Sequence, residues 1–393
     1  TETQDNLKNL VDVVNADGIY QNEKDGSVYI RGNQSATLKL KFKKANAYYD
    51  QIWVSKGEKQ QDGQEIYYDA INSGISFDDS EDKVYSLKVS LRNSKNAETV
   101  TDGEKYININ VDATSPTADF ADLGSAGQFN KVLPNDWKGF GNFSKDKEKA
   151  YLVTKSDNGS KVKSLKTCKV KIGSDDNNAI VAAISNAVKN DSLWVEEDTV
   201  KFAEEGNYII LALVEDNVGN KSVYASNGLV FDLTTPTVTI TADSVDPKVG
   251  PDGTVNFQVK VNDTNVTSGI EKVEIIAMDS ANKEVSAEEI ENVKVSGGFD
   301  ENSKKVTDSY TLNSEEINKI VGKEQDGTLE SIQAHANFNI EGKLSINKYQ
   351  SGYATVKVIV YDKAGNQSDS ALKTVKVDVI NPEIAVEYNI DSD

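Results

Sequence analysis

An apolar residue, then Asp, then three residues, then Pro recurs three times along the chain. The instances are Val111-Asp112-Ala-Thr-Ser-Pro116, Phe231-Asp232-Leu-Thr-Thr-Pro236 and Val377-Asp378-Val-Ile-Asn-Pro382. A fixed sign recurring at domain-sized spacing marks tandem units, and about 100 residues per unit is the size of one β-sandwich. Upstream of each sign lies a turn led by Asp or Asn: Asn93-Ser-Lys-Asn96, Asp216-Asn-Val-Gly219-Asn220 and Asp362-Lys-Ala-Gly365-Asn366. In the second and third copies the turn Asp precedes the terminal Asp by the same sixteen residues.

The residues around these signs read as strands. Before each turn runs an alternating segment opened by tyrosine: Tyr85 to Arg92, Tyr208 to Glu215 and Tyr353 to Tyr361. A second strand follows each turn and ends at the terminal Asp, so strand, turn and strand form an antiparallel hairpin. At the turn, an Asp side chain accepts a backbone N–H two residues on, and Gly supplies positive φ without steric cost. Asp216, Gly219, Asn220, Asp362, Gly365 and Asn366 are therefore assigned structural turn roles. Tyr208, in Glu204-Glu-Gly206-Asn-Tyr208, is placed like a tyrosine corner, whose hydroxyl bonds back to the upstream backbone. Tyr85 and Tyr353 hold the corresponding positions.

These readings predict an all-β chain of tandem immunoglobulin-like β-sandwiches, with short helical inserts in repeats two and three. The units are 1–112 (divergent), 113–232 and 233–378, with 379–393 read as the first strand of a truncated fourth repeat. Apolar residues at helical spacing place one insert at about 176–190, with Asp175 and Asp176 favourable at its N-terminus. A Ser314 cap signal and a Gly322 stop place the other at about 313–322. Both are expected to decorate the sandwiches and to be the seat of any binding. Gly/Asp/Asn/Ser-rich loops lie around 297–308.

Composition narrows the chemistry. A net charge of -20 argues against nucleic-acid phosphates and anionic lipid as partners. With 37% hydrophobic residues each unit can still bury a core. No run approaches the roughly 18 apolar residues of a membrane span, so no membrane insertion is expected. The single cysteine, Cys168, excludes an intrachain disulfide and, within an alternating strand, reads as a small core hydrophobe.

Parts for catalysis are few. A lone histidine, His335, cannot build a His-rich zinc site, and no P-loop, zinc-protease or nucleophile-elbow motif occurs. The chain is expected not to be an enzyme. Calcium is the candidate ion, because hard cations take oxygen ligands and Asp112, Asp232 and Asp378 stand at domain boundaries. The alternative is that these residues cap strand ends. No other cofactor is expected. For a ligand, the Gly-punctuated stretch carrying Trp137, Phe140 and Phe143 is the candidate glycan platform, against the alternative that the rings are core.

The turn Asp-x-x-Gly-Asn-x-Ser, the tyrosine-led strand before it and the terminal Asp-x-x-x-Pro together resemble the bacterial immunoglobulin-like (Big-type) tandem repeats of cell-surface proteins and adhesins. The Ser268-Gly-Ile-Glu-Lys-Val273 strand entry also resembles that family. The likeness is clearest over roughly 235–380 and fades over 1–112, where Asn96 replaces the turn Gly. It implies an extracellular stalk or adhesive region on the surface or cell wall of a Gram-positive bacterium, as an elongated monomer. A glycan- or host-surface-protein-binding module, or an accessory region of a secreted carbohydrate-active enzyme, is the alternative.

Overall fold

Strands that are apolar on one face must bury that face against a second sheet, and the chain does so three times over. The computed structural model describes residues 7, 9–45, 48–99, 105–242, 254–278, 299–307, 310–345, 352–377 and 383–385. Asp378 and most of 379–393 lie outside them.

In the first unit a seven-stranded sheet packs over the short pair Val11–Val13 and Leu40–Phe42. Ile30, Ile52, Leu87, Leu91 and Ile109 from the large sheet share one core with Leu38, Leu40 and Phe77. The third unit sets the five strands Thr237–Ala242, Thr254–Asn262, Asn337–Ser345, Lys305–Thr307 and Phe299–Asp300 against a second sheet of four. That second sheet holds Tyr310–Leu312, Ile270–Met278, Gly352–Asp362 and Ala371–Val377.

The second unit is the most informative. A three-stranded sheet (Thr117–Phe120, Tyr151–Ser156, Thr199–Val200) covers one face of a six-stranded sheet centred on Gly206–Asp216. This central strand is apolar on both sides. Tyr208, Ile210, Ala212 and Val214 enter the core between the sheets, whereas Ile209 and Leu211 enter a second core on the opposite face. The predicted hairpin forms by antiparallel pairing of Gly206–Asp216 with Lys221–Ser226. Its second arm is interrupted at Asn227, after which Gly228–Phe231 re-pairs with the start of the same central strand. Next to the break, the Ile210 N–H donates to Ser226 Oγ at 2.9 Å.

The opposite face of that sheet is covered by helix α1, Asn177–Val188, the first predicted insert. Ile180, Ile184 and Ala187 line its buried stripe, and Asp176 caps it by accepting the Ala179 N–H at 3.0 Å. In the third unit α2 spans Ser314–Val321. Its cap is Asn313 rather than Ser314, since Asn313 and Glu316 form a reciprocal capping box. Gly322 ends it at φ 84°. A further short helix, α3, spans Leu329–Ala334 and was not anticipated.

The first insert, α1, is more than a decoration of its own sandwich. Ile332 of α3, 1% exposed, lies in the same cluster as Phe140, Ile180 and Ile184 of the second unit. The Glu330 N–H donates to Asp175 Oδ2 across the boundary at 3.1 Å, and the Phe140 N–H donates to Gly327 O at 2.7 Å. The helix of one sandwich and the loop-helix of the next close a shared core, and burying a side chain such as Ile332 there contributes about 1.5–3 kcal/mol. No helix among the described residues is long and apolar enough to cross a membrane.

Candidate metal centre at the domain junctions

Each described junction gathers three aspartates from three separate stretches of chain. Asp112 ends the strand Lys105–Asp112, and Asp232 directly follows Gly228–Phe231. Asp157 and Asp263 each directly follow the strand that pairs with the first strand of the next sandwich, Tyr151–Ser156 and Thr254–Asn262. Asp216 and Asp362 are the turn residues of that same downstream sandwich. Asp112, Asp157 and Asp216 form one cluster and Asp232, Asp263 and Asp362 the other, each offering carboxylate oxygens within 4.8 Å of one another.

The turns form as their chemistry dictates, then do more. Asp216 Oδ1 accepts the N–H groups of Val218 and Asn220 at 3.0 and 2.8 Å, with Gly219 at φ 92°. Asp362 Oδ1 likewise accepts the Asn366 N–H at 2.8 Å, with Gly365 at φ 91°. The Asn side chain then reaches across the boundary. Asn220 Nδ2 donates to the carbonyl of Asp112 at 3.1 Å, and Asn366 Nδ2 to that of Asp232 at 3.0 Å. A second grip comes from the loop that carries the other downstream Asp. The Ser160 N–H donates to Asp112 Oδ2 at 2.6 Å and the Ser268 N–H to Asp232 Oδ2 at 2.7 Å. Residues assigned to turns alone thus also clasp the preceding domain.

Burial makes the clusters electrostatically costly. Asp232, Asp263 and Asp362 are at most 1% exposed, as are Asp112 and Asp216, whereas Asp157 is half-buried. Desolvation raises Asp263 to about 7, helped by the charges of Asp232 and Asp362. It raises Asp232 and Asp216 to about 6, with Asp362 and Asp112 respectively adding repulsion. Asp362 and Asp157 are pushed up as well, chiefly by burial. Among the described residues none of the six aspartates is in a salt bridge. Two buried oxygens, Asp112 Oδ1 and Asp263 Oδ1, one in each cluster, accept no hydrogen bond at all. At Gly159 a Cβ would run into the Asp112 carboxyl group, so only glycine lets the loop close on it. An oxygen-only donor set of this kind suits a hard cation. Asp112 and Asp232 were singled out from the sequence; Asp157 and Asp263 were not. The signal available was an Asp immediately after the strand that pairs with each unit's first strand.

The other sequence candidates are placed differently. Phe140 is 1% exposed and so offers no open face to a sugar. Trp137 packs edge-on against it at 5.5 Å, within the second unit's outer core. Phe143 packs on that core too and lies 5.6 Å from the Lys363 ammonium of the third unit. The three rings therefore belong to the packing around the domain 2–3 junction and form no exposed platform. Gly139 and Gly327 meet backbone to backbone there, too closely for a Cβ on either. Tyr208 donates to the Glu204 carbonyl at 3.0 Å, the corner bond. Tyr85 instead donates to the Asp79 carboxylate at 2.8 Å, and Tyr353 lies in the strand Gly352–Asp362. His335 is 1% exposed, and its ring nitrogens meet Ser331 O and Asn318 Oδ1 at 2.7 and 2.9 Å, which ties α3 to α2. Cys168 sits in the core beneath α1, where burial pushes its thiol up to about 11.

No family model matches the chain, and no curated protein matches it. Among solved structures it is similar to fibronectin(III)-like modules of CbhA from Clostridium thermocellum, at 13% identity and TM-score 0.26, over 64% of this chain and 97% of that one. It is also similar to a 1.5-MDa bacterial ice-binding adhesin, at 11% identity and TM-score 0.26, over 94% of this chain and 98% of that one. Latent PorU from Porphyromonas gingivalis is matched at 10% identity and TM-score 0.22, over 94% of this chain and 34% of that one. At such TM-scores these likenesses carry no argument, and the all-β, two-sheet architecture rests on the strand pairing described above.

Proposed function

We propose that the chain is a non-catalytic repeat array on the outside of a bacterium, holding an adhesive or wall-associated part of its protein at a set distance and angle. The observation that supports this is the repeated clasp. At both junctions the downstream Ser N–H and Asn side chain grip the same atoms of the upstream terminal Asp. A linker so held transmits orientation from one sandwich to the next, which is what a spacer requires and a flexible string of binding domains does not.

A second reading has one feature in its favour. The first unit presents Tyr48, 78% exposed, and a sheet face on which Arg92 stacks between Trp53 and Tyr67. A glycan- or protein-binding role would sit there. Small-angle scattering from the three-domain protein tests the first reading: it expects one elongated monomeric form, and a compact or broadly varied particle sinks it. Binding on a glycan array that is lost in Trp53→Ala would favour the second.

A further inference from the structure

We infer that each junction cluster is a calcium site shared between two domains, the ligands being Asp112, Asp157 and Asp216 at one junction and Asp232, Asp263 and Asp362 at the other. The first support is an unmet need. A buried carboxylate oxygen without a donor is rare and costly in a folded protein. Here one occurs in each cluster, on Asp112 and on Asp263, both 1% exposed. Three carboxylates drawn to one point, with no Lys or Arg side chain among the described residues in a salt bridge to them, leave a local charge that a dication would offset.

The second support is that two different loops reach the same arrangement. From Asp157 to the clasping Ser160 is three residues, and from Asp263 to Ser268 five. Yet each Asp lands beside the terminal Asp of the domain before and the turn Asp of its own. The clasp hydrogen bonds do not explain this, because neither Asp157 nor Asp263 takes part in them. Asp157 accepts the Lys161 N–H, and Asp263 the Thr267 hydroxyl.

Donor chemistry selects the ion. Neither cluster holds a sulfur or imidazole ligand, which disfavours zinc and copper. Carboxylates that can ligate through one or both oxygens suit the 6–8-fold, irregular shell of Ca²⁺, whereas Mg²⁺ keeps several waters and a strict octahedron. Because the upstream domain supplies one ligand and the downstream domain two, the ion holds the pair only in the docked arrangement.

The test is calorimetric titration of CaCl₂ into the intact chelator-stripped protein, repeated with Asp157→Asn and Asp263→Asn. Either change keeps an acceptor oxygen for the local hydrogen bond and leaves the clasp atoms untouched. The wild type is expected to take up calcium with Kd of about 1 mM or tighter, the range of extracellular modules. Each single variant should lose one ion per chain, and the double variant both. A wild type that is folded by circular dichroism yet shows no calcium heat overturns the inference, as does undiminished uptake by the double variant. MgCl₂ titrated alone should bind at least tenfold more weakly, and equal binding overturns the assignment to calcium. An elongated particle without calcium uptake removes the metal sites and leaves the array reading standing; calcium uptake by a compact particle does the reverse.

Discussion

Asp263 shows how one residue can be set against its surroundings. It is 1% exposed, has one oxygen bonded to Thr267 and the other to nothing, and faces two further carboxylates. Burial raises it to about 7, and Asp232 and Asp216 to about 6, all above an unfolded value near 3.8. Between those limits the folded chain holds protons that the unfolded chain has already released, so stability falls as pH rises. Carboxylates held low by hydrogen bonds, such as Asp50 and Asp300, act in the opposite sense, but their contribution is complete above about pH 5. In chelator the melting temperature should therefore fall from pH 5.5 to 7.5, and Asp263→Asn should flatten that slope. A wild-type melting temperature that rises over the interval contradicts the burial argument.

At this scale the sequence was legible wherever a residue stands at a fixed distance from a repeat sign. Asp112, Asp232 and the two Asp-Gly-Asn turns could be read because spacing is set within one hairpin. Asp157 and Asp263 could not, because the loops that carry them differ in length and only the fold aligns them. Phe140 was misread for a related reason: glycines on either side suggest an open loop, but Gly139 is there to let the third unit approach.

Among the elements, the helices behave least as their local pattern suggests. The apolar stripe of α1 announces a helix that needs covering, but nothing in its own unit predicts that Ile332 of another sandwich helps to cover it. The central strand Gly206–Asp216 carries the same message in its two-sided apolarity, since only a sheet buried on both faces needs one. Ile332→Ala should cost about 2–5 kcal/mol by leaving a cavity at this contact. It should also split a joint unfolding transition of units two and three into two separate ones. Calorimetry on wild type and variant measures both, and unchanged cooperativity would show that the contact does not couple the units.

Across the whole molecule the two joints are built unequally. The domain 2–3 joint has the clasp, the shared helix core and the Lys145 ammonium on the Gly365 carbonyl. The domain 1–2 joint has the clasp and Arg31 donating to Val218 O at 3.2 Å. The array is therefore expected to bend at the first joint before the second. Spin labels across each joint should report a distance distribution somewhat wider for the first than for the second. Equal widths would mean that the clasp alone sets the stiffness.

The sheet pairing has a mechanical consequence. In the second unit Phe140–Ser144 runs parallel to the closing strand Gly228–Phe231, and in the first Val28–Arg31 runs parallel to Lys105–Asp112. Two strands precede the parallel strand in each unit, and once tension has peeled those away the parallel pair must slide, so that its hydrogen bonds are strained all at once. An antiparallel hairpin pulled from its open end would instead peel one bond at a time. A chain with a single cysteine, which cannot staple itself internally, thereby gains resistance to tension from strand direction alone.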